Sequence, residues 1–229
     1  MKIESIMSPD LQLNVGDYWF PYFGPLLLRT KVSSEFTSKL LEEGNKSREN
    51  NLDYRHKLAG GIDNEYYFND FEEWFMPRFE SVLSLYSTQV SGLGWHTNRR
   101  INLPLKIRKS DLWINYQKAK EFNPPHKHDG DLSFVTYLQI PDEIKEENIR
   151  MKGVHHNTGA GTINFTFGES LPFSIGLYYE LPEVGDTFIF PAWLNHYVNP
   201  FNSDVERISV AGNFYLERDE MDSDLPIER

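Results

Sequence analysis

Residues Gly185 to Phe214 read GDTFIFPAWLNHYVNPFNSDVERISVAGNF. Gly185-Asp186 is a turn dipeptide, and Thr187-Phe188-Ile189-Phe190 is an apolar run of strand length. Pro191 stops or bends that strand, because proline cannot donate to a sheet ladder. His196 follows, then a polar turn through Asn199-Pro200 and Asn202-Ser203-Asp204. From Arg207 the residues alternate. Ile208, Val210 and Gly212 share one face, and Arg207, Ser209 and Ala211 share the other. The stretch predicts one hairpin-like unit carrying a histidine near the end of one strand and an arginine at the start of the next.

Upstream, Leu112, Ile114 and Tyr116 alternate with Trp113 and Asn115, the pattern of a strand with different surroundings on its two faces. Pro124-Pro125-His126-Lys127-His128-Asp129-Gly130-Asp131 follows, then a strand over Leu132 to Ile140. Asp142 to Glu147 reads as a charged, solvated loop. Thr162 to Phe167 reads as a strand, and Pro182 to Gly185 as the turn leading into the opening stretch. His155 and His156 are adjacent, so on a strand they face opposite ways and do not chelate one ion.

The first half is different in character. Tyr18 to Phe23 is aromatic and broken by Pro21, which fits an edge strand or wrapping arm over the core. Val32 to Gly44 predicts a helix with Ser33 or Ser34 as N-cap and Phe36, Leu40 and Leu41 on one face. Gly44 to Asn51 reads as a polar loop and Lys57 to Ile62 as a turn-rich stretch. Phe68 to about Tyr86 predicts a second helix, capped by Asp70. Its stripe of Phe71, Trp74, Phe75, Phe79, Val82 and Leu83 packs on a β core, and Pro77 kinks or divides it. His56 and His96 are read as structural. The expected organisation is an N-terminal extension over 1–108, a β core over 109–216 and an acidic mobile tail over 217–229.

Composition narrows the function. The 229 residues carry 39% hydrophobic and 14% aromatic side chains, enough for one sizeable, aromatic-rich β core. There is no cysteine, which excludes disulfides, thiol catalysis and zinc–thiolate sites. Any metal must take nitrogen and oxygen ligands. A formal net charge of -11 argues against binding to a nucleic-acid backbone. Apolar runs are short of a bilayer span and the N-terminus has no apolar signal core, so a cytoplasmic protein without a membrane segment is expected.

The order strand, His196, turn, Arg207, Ser209 resembles the C-terminal half of the 2-oxoglutarate- and Fe(II)-dependent oxygenase core. The likeness runs from Trp113 to Tyr215 and is nearest to a subgroup found in bacteria and their phages, which also carries His-x-His before a Leu-Ser strand and a tyrosine, here HKHDGDLSFVTYL. It implies a mainly β fold, a double-stranded β-helix or jelly roll flanked by N-terminal α-helices. It implies Fe(II), 2-oxoglutarate as cosubstrate and O2. It implies hydroxylation of an unidentified protein, peptide or small molecule, with release of succinate and CO2.

The resemblance also implies residue roles. His196 corresponds to the distal iron ligand. Arg207, with Ser209, corresponds to the clamp on the far carboxylate of 2-oxoglutarate. Tyr137 either hydrogen-bonds the same carboxylate or is a core tyrosine. Asn115 or Tyr116 faces the site, and Trp193 packs beneath His196. The proximal ligands admit two sets. In one, His126, His128 and His196 bind as three imidazoles. In the other, one of the paired histidines stands back and Asp129 or Asp131 supplies a carboxylate after a bend at Gly130. Residues i and i+2 share a strand face, which favours the first set. Imidazoles of unperturbed pKa near 6.5 lose metal in mild acid. Two other functions stay open: a cupin-type metal enzyme without 2-oxoglutarate, which three histidines suit, and a non-catalytic jelly-roll binding or structural module.

Overall fold

The structure is a computed structural model that describes residues 24–92, 104–152 and 159–217, together with 7–8 and 11–12. The expected aromatic arm, His96, His155-His156 and nearly all of the acidic tail lie outside these residues. The elements in chain order are β1 (Met7–Ser8), β2 (Leu11–Gln12), β3 (Leu28–Lys31), α1 (Ser34–Glu49), β4 (Glu65–Tyr67), α2 (Glu72–Gly92), β5 (Ile107–Gln117), β6 (Asn123–His126), β7 (Leu132–Gln139), α3 (Asp142–Lys152), β8 (Ile163–Thr166), β9 (Leu177–Glu180), β10 (Asp186–Pro191), β11 (Asn195–Val198) and β12 (Arg207–Leu216).

Two antiparallel sheets carry the fold. A six-stranded sheet has the order β3-β10-β7-β12-β5-β4, and a four-stranded sheet has the order β6-β11-β8-β9. The period of two sorts the side chains of the larger sheet. Leu112, Ile114, Tyr116, Phe134, Ile208, Val210 and Phe214 point to one face, where α1 and α2 cover them. Phe75, Phe79, Phe134 and Phe214 meet there ring on ring, with centroids 4.5–5.5 Å apart. The opposite face turns Val135, Tyr137, Phe188 and Phe190 toward Ile163 and Phe165 of the smaller sheet and toward Leu194, just before β11. The site opens within this second, inter-sheet layer.

The expected hairpin-like unit is not a hairpin. β10 belongs to the larger sheet, β11 to the smaller and β12 again to the larger. Pro191 still pairs with Leu132 at the end of β10, and the chain then crosses between sheets through a tight turn closed by the Leu194 N–H on the Pro191 carbonyl, 2.9 Å. That crossing places His196 opposite the face that carries Arg207.

The helices depart from expectation in informative ways. Ser33 caps α1 by accepting from the Phe36 N–H at 3.2 Å, as its residue type dictates. The helix then runs past Gly44 to Glu49, through the stretch read as a polar loop. Ion pairs of Lys39 with Glu43 and of Lys46 with Glu42 span successive turns. Gly44 lies against Ile114 so closely that a Cβ would collide with it. Packing on the sheet therefore overrides the weak helix propensity of Gly-Asn-Lys-Ser. α2 starts after Phe71. Asp70 has φ +50°, a turn conformation rather than that of a cap, and α2 continues past Pro77. Asp142 to Glu147 is not a solvated loop but the start of α3. Ile144 is fully buried, and the Glu147 carboxylate accepts from the backbone and side chains of Asn202 and Ser203 at 2.8–2.9 Å. A charged surface with one apolar and one capping position hides such a helix from a periodicity reading.

Candidate metal centre and anion pocket

His126 ends β6 and sits directly opposite His196 in the β6–β11 register. His128 lies beyond the strand and is held by its own N–H on the Ala192 carbonyl, 2.9 Å, in the inter-sheet crossing. Each histidine offers a ring nitrogen, and these atoms lie within 4.8 Å of one another. The ring centroids are 4.3 Å apart for His126–His196 and 4.9 Å for the other two pairs. The Nδ1 of His126 meets the Pro124 carbonyl at 2.7 Å, and the Nδ1 of His196 meets the Leu194 carbonyl at 2.9 Å. A carbonyl only accepts, so each Nδ1 carries the proton and each Nε2 keeps its lone pair for an incoming cation.

Burial pushes the His196 pKa down to about 3. Burial, helped by its two histidine neighbours, pushes that of His128 down to about 2, and burial also lowers that of His126. At neutral pH all three are neutral, the form that binds metal. The aspartates stand elsewhere. Asp131 accepts the Leu216 N–H at 2.8 Å, and Asp129 is exposed at the cavity rim. Neither joins the converging set. The rings packed on His196 are Phe190, at 4.7 Å, and Phe165, at 6.0 Å. Trp193 is not beneath it but half-exposed against Phe167.

The histidines border a cavity of about 440 Å³ whose floor is the inner face of the six-stranded sheet. A polar row crosses that floor through the strand registers: Glu65 beside Asn115, Asn115 beside Ser209, Ser209 beside Tyr137. Arg207 stands one step further along β12, only 3% exposed. Its Nη1 donates to the Gly161 carbonyl at 2.8 Å, and its guanidinium lies 5.4 Å from the Tyr137 ring centre. Its Nε has no acceptor, the Tyr137 hydroxyl and the Asn115 Oδ1 have no partner, and no carboxylate among the described residues pairs with it. Glu206, its chain neighbour, pairs with Arg48 instead.

Burial lowers the Arg207 pKa, and burial pushes that of the Tyr137 phenol up to about 12. A guanidinium buried without a counter-ion is costly, and its fork matches the two oxygens of a carboxylate. The free Arg207 donors and the Tyr137 hydroxyl therefore fit one end of a dicarboxylate, with the three imidazoles bordering the same cavity. Of the pair Asn115 and Tyr116, Asn115 is the one that faces the cavity. Tyr116 turns to the helix side, its hydroxyl on Asn45 at 2.8 Å.

Several lining residues escape a reading of the sequence. The turn-rich stretch proves to be cavity wall at Lys57, Leu58, Ala59 and Ile62. Trp113 lies 5.6 Å from the His128 ring, and Glu65 and Asn123 face the cavity from short strands with too few residues to show a period. Only the alternation around Trp113 signalled one of them.

Residues 111–213 match a family model described as "Putative 2OG-Fe(II) oxygenase". No curated protein matches the chain. Among solved structures, a prolyl-4-hydroxylase from Pseudomonas putida superposes with a TM-score of 0.55 at 12% identity, over 83% of this chain and 92% of that one. A Trichoplax adhaerens prolyl hydroxylase, solved with a hypoxia inducible factor peptide fragment, gives 0.48 at 11% identity, over 84% and 83%. HygX from Streptomyces hygroscopicus, solved with nickel and 2-oxoglutarate, gives 0.43 at 11% identity, over 81% of each chain. At this identity the first likeness establishes the fold.

Proposed function

We propose, for a chain whose residues 111–213 belong to the 2OG-Fe(II) oxygenases, that it couples oxidative decarboxylation of 2-oxoglutarate to hydroxylation of a primary substrate, with succinate and CO2 released. The match to this family implies Fe(II) as cofactor, with 2-oxoglutarate and O2 as cosubstrates. His126, His128 and His196 would hold the iron, each through one ring nitrogen. When bound, the metal supplies open positions for a chelating 2-oxoacid and for O2. Arg207 takes the far carboxylate of 2-oxoglutarate through its free donors, and Tyr137 and Ser209 complete the clamp. Asn115, 3.4 Å from the Ser209 hydroxyl, orients that hydroxyl. The aromatic side chains of Phe190 and Trp113, which line the cavity, keep water from the reacting atoms.

The observation that carries this reading is Arg207, a buried cation with an orphaned Nε on the cavity that the three imidazoles border. A cupin-type metal enzyme without 2-oxoglutarate would also suit three histidines, and it leaves that arginine unexplained. Titration of Fe(II) under anaerobic conditions, then of 2-oxoglutarate, by calorimetry tests the proposal. One equivalent of each is expected, the second dependent on the first. Tight iron binding with no 2-oxoglutarate binding favours the cupin reading. Succinate formation screened across amino acids, peptides and small molecules then addresses the primary substrate.

A further inference from the structure

The proposed cofactor roles use the Arg207 end of the polar row and leave its other end unused. Glu65 terminates the row on β4, the edge strand beside β5. It is 2% exposed yet lines the cavity, and among the described residues no hydrogen bond reaches its carboxyl group. The one cation whose charge acts to lower the Glu65 pKa, Arg55, is engaged with Asp53, which it holds with two side-chain hydrogen bonds of 2.9 Å. Lys57, Lys109 and Lys127 line the rim, but all three are exposed to screening solvent. Glu65 is thus the mirror of Arg207: a buried acid facing the cavity that no described residue pairs through a hydrogen bond or salt bridge.

The wall beside it is aromatic. Tyr54 and Trp113 both line the cavity, with ring centroids 5.9 Å apart, and Tyr67 adjoins Tyr54 at 5.9 Å. A carboxyl group at the foot of aromatic faces suits a cation, which gains from the rings as well as from the charge.

We infer that Glu65 is the recognition residue of the primary-substrate subsite and that it takes a basic nitrogen, an ammonium or guanidinium group, on that substrate. The inference rests on the oxygenase reading for the word substrate, while the cation site itself stands on the cavity alone. Burial, and next the nearby Glu121, raise the Glu65 pKa to about 8, so the carboxyl group of the protein by itself is protonated at neutral pH. An arriving ammonium or guanidinium donates to both oxygens, the carboxyl group ionises, and its proton leaves to solvent. Binding therefore releases up to one proton. A neutral amide or carbonyl partner releases none.

The test uses the full chain loaded with Mn(II) and 2-oxoglutarate, and n-butylammonium, N-methylguanidinium and butyramide as probes. Saturation-transfer NMR reads affinity, and a pH indicator in weak buffer at pH 7 reads proton release. The parent protein is expected to bind both cations and release close to one proton per probe. E65Q, isosteric with the protonated acid, is expected to bind them at least tenfold more weakly and release none, with E65M as a second variant. Butyramide is expected to bind weakly to all three proteins. Equal cation binding by the parent and both variants, or a preference for butyramide, overturns the assignment. Mn(II) and 2-oxoglutarate are titrated in the same samples. If they fail to bind while the cations still bind through Glu65, the oxygenase reading falls and the cation site stands.

Discussion

The Nε2 atoms of His128 and His196 lie 3.2 Å apart, although 68 residues separate the two in sequence. Two neutral imidazoles meeting this way share a single proton unless a cation comes between them. His196→Ala and His128→Ala are therefore expected to abolish stoichiometric Fe(II) or Mn(II) binding. Asp129→Ala is expected to retain it, because Asp129 stands at the rim. Metal content after gel filtration checks this. Loss of metal in Asp129→Ala with retention in His128→Ala would restore the carboxylate triad.

Acid acts on this cluster through burial. A histidine whose folded pKa lies below its unfolded value near 6.5 favours the folded state above that value, and the contribution is lost as pH falls toward the folded pKa. Here the folded values are about 3 for His196 and about 2 for His128. The metal-free protein is thus expected to lose about 1.4 kcal/mol per pH unit for each such histidine below about pH 6.5. Urea unfolding at pH 7, 6 and 5 measures it, and His128→Phe should show the shallower slope. Protons also compete poorly for these rings, so Mn(II) affinity should change little between pH 7.5 and 6. Unperturbed imidazoles would instead lose the metal in mild acid, so the same titration separates the two expectations.

Arg207→Met is expected to have opposite effects on the protein alone and on its complex. Removing a buried charge with no counter-ion should leave the thermal midpoint of the protein alone unchanged or raised. Removing the clamp should weaken 2-oxoglutarate by about 2–5 kcal/mol, roughly 30- to several-thousand-fold. Paired melting curves and titrations read both. Unchanged 2-oxoglutarate affinity would remove Arg207 from the site.

Glu147→Ala should destabilise the fold by about 1–3 kcal/mol for each donor it strands, since the backbone N–H groups of Asn202 and Ser203 both rely on that carboxylate. The loop it holds precedes Arg207 by a few residues. Weaker 2-oxoglutarate binding at unchanged metal content is therefore the expected second effect, measured on the same titrations.

Trp193→Ala should cost less than about 0.5 kcal/mol, as for other surface changes, and leave metal binding intact. Phe190→Ala, which empties the wall beside His196, should cost about 3–5 kcal/mol. Denaturant midpoints of the two variants separate the ring that supports the histidine from the ring that does not.

The residues most legible in the sequence were those whose chemistry and spacing repeat locally. His126, His128, His196, Arg207 and Ser209 could be named because their order resembles that of the 2-oxoglutarate oxygenases, and strand alternation adds which of them share a face. What escaped notice depends on distance in sequence. Glu65 joins the site only because a three-residue strand pairs with Asn115. Glu147 reads as one acid in a charged run until the chain returns at Asn202. Trp193 looked like a support because it is near His196 in sequence, yet the crossing between sheets turns it outward. Helix α1 outran its expected end because Gly44 is chosen by the surface of Ile114, not by local propensity.

Both outer strands of the six-stranded sheet, β3 beside β10 and β4 beside β5, come from before residue 111. The segment that matches the family model is for this reason not a portable cassette. Excised at the family boundaries, it would present two long rows of unpaired backbone groups, a template for edge-to-edge aggregation. Chimeras that exchange residues 111–213 between relatives should therefore carry residues 28–67 with them, and the yield of soluble protein would mark where the true unit of inheritance ends.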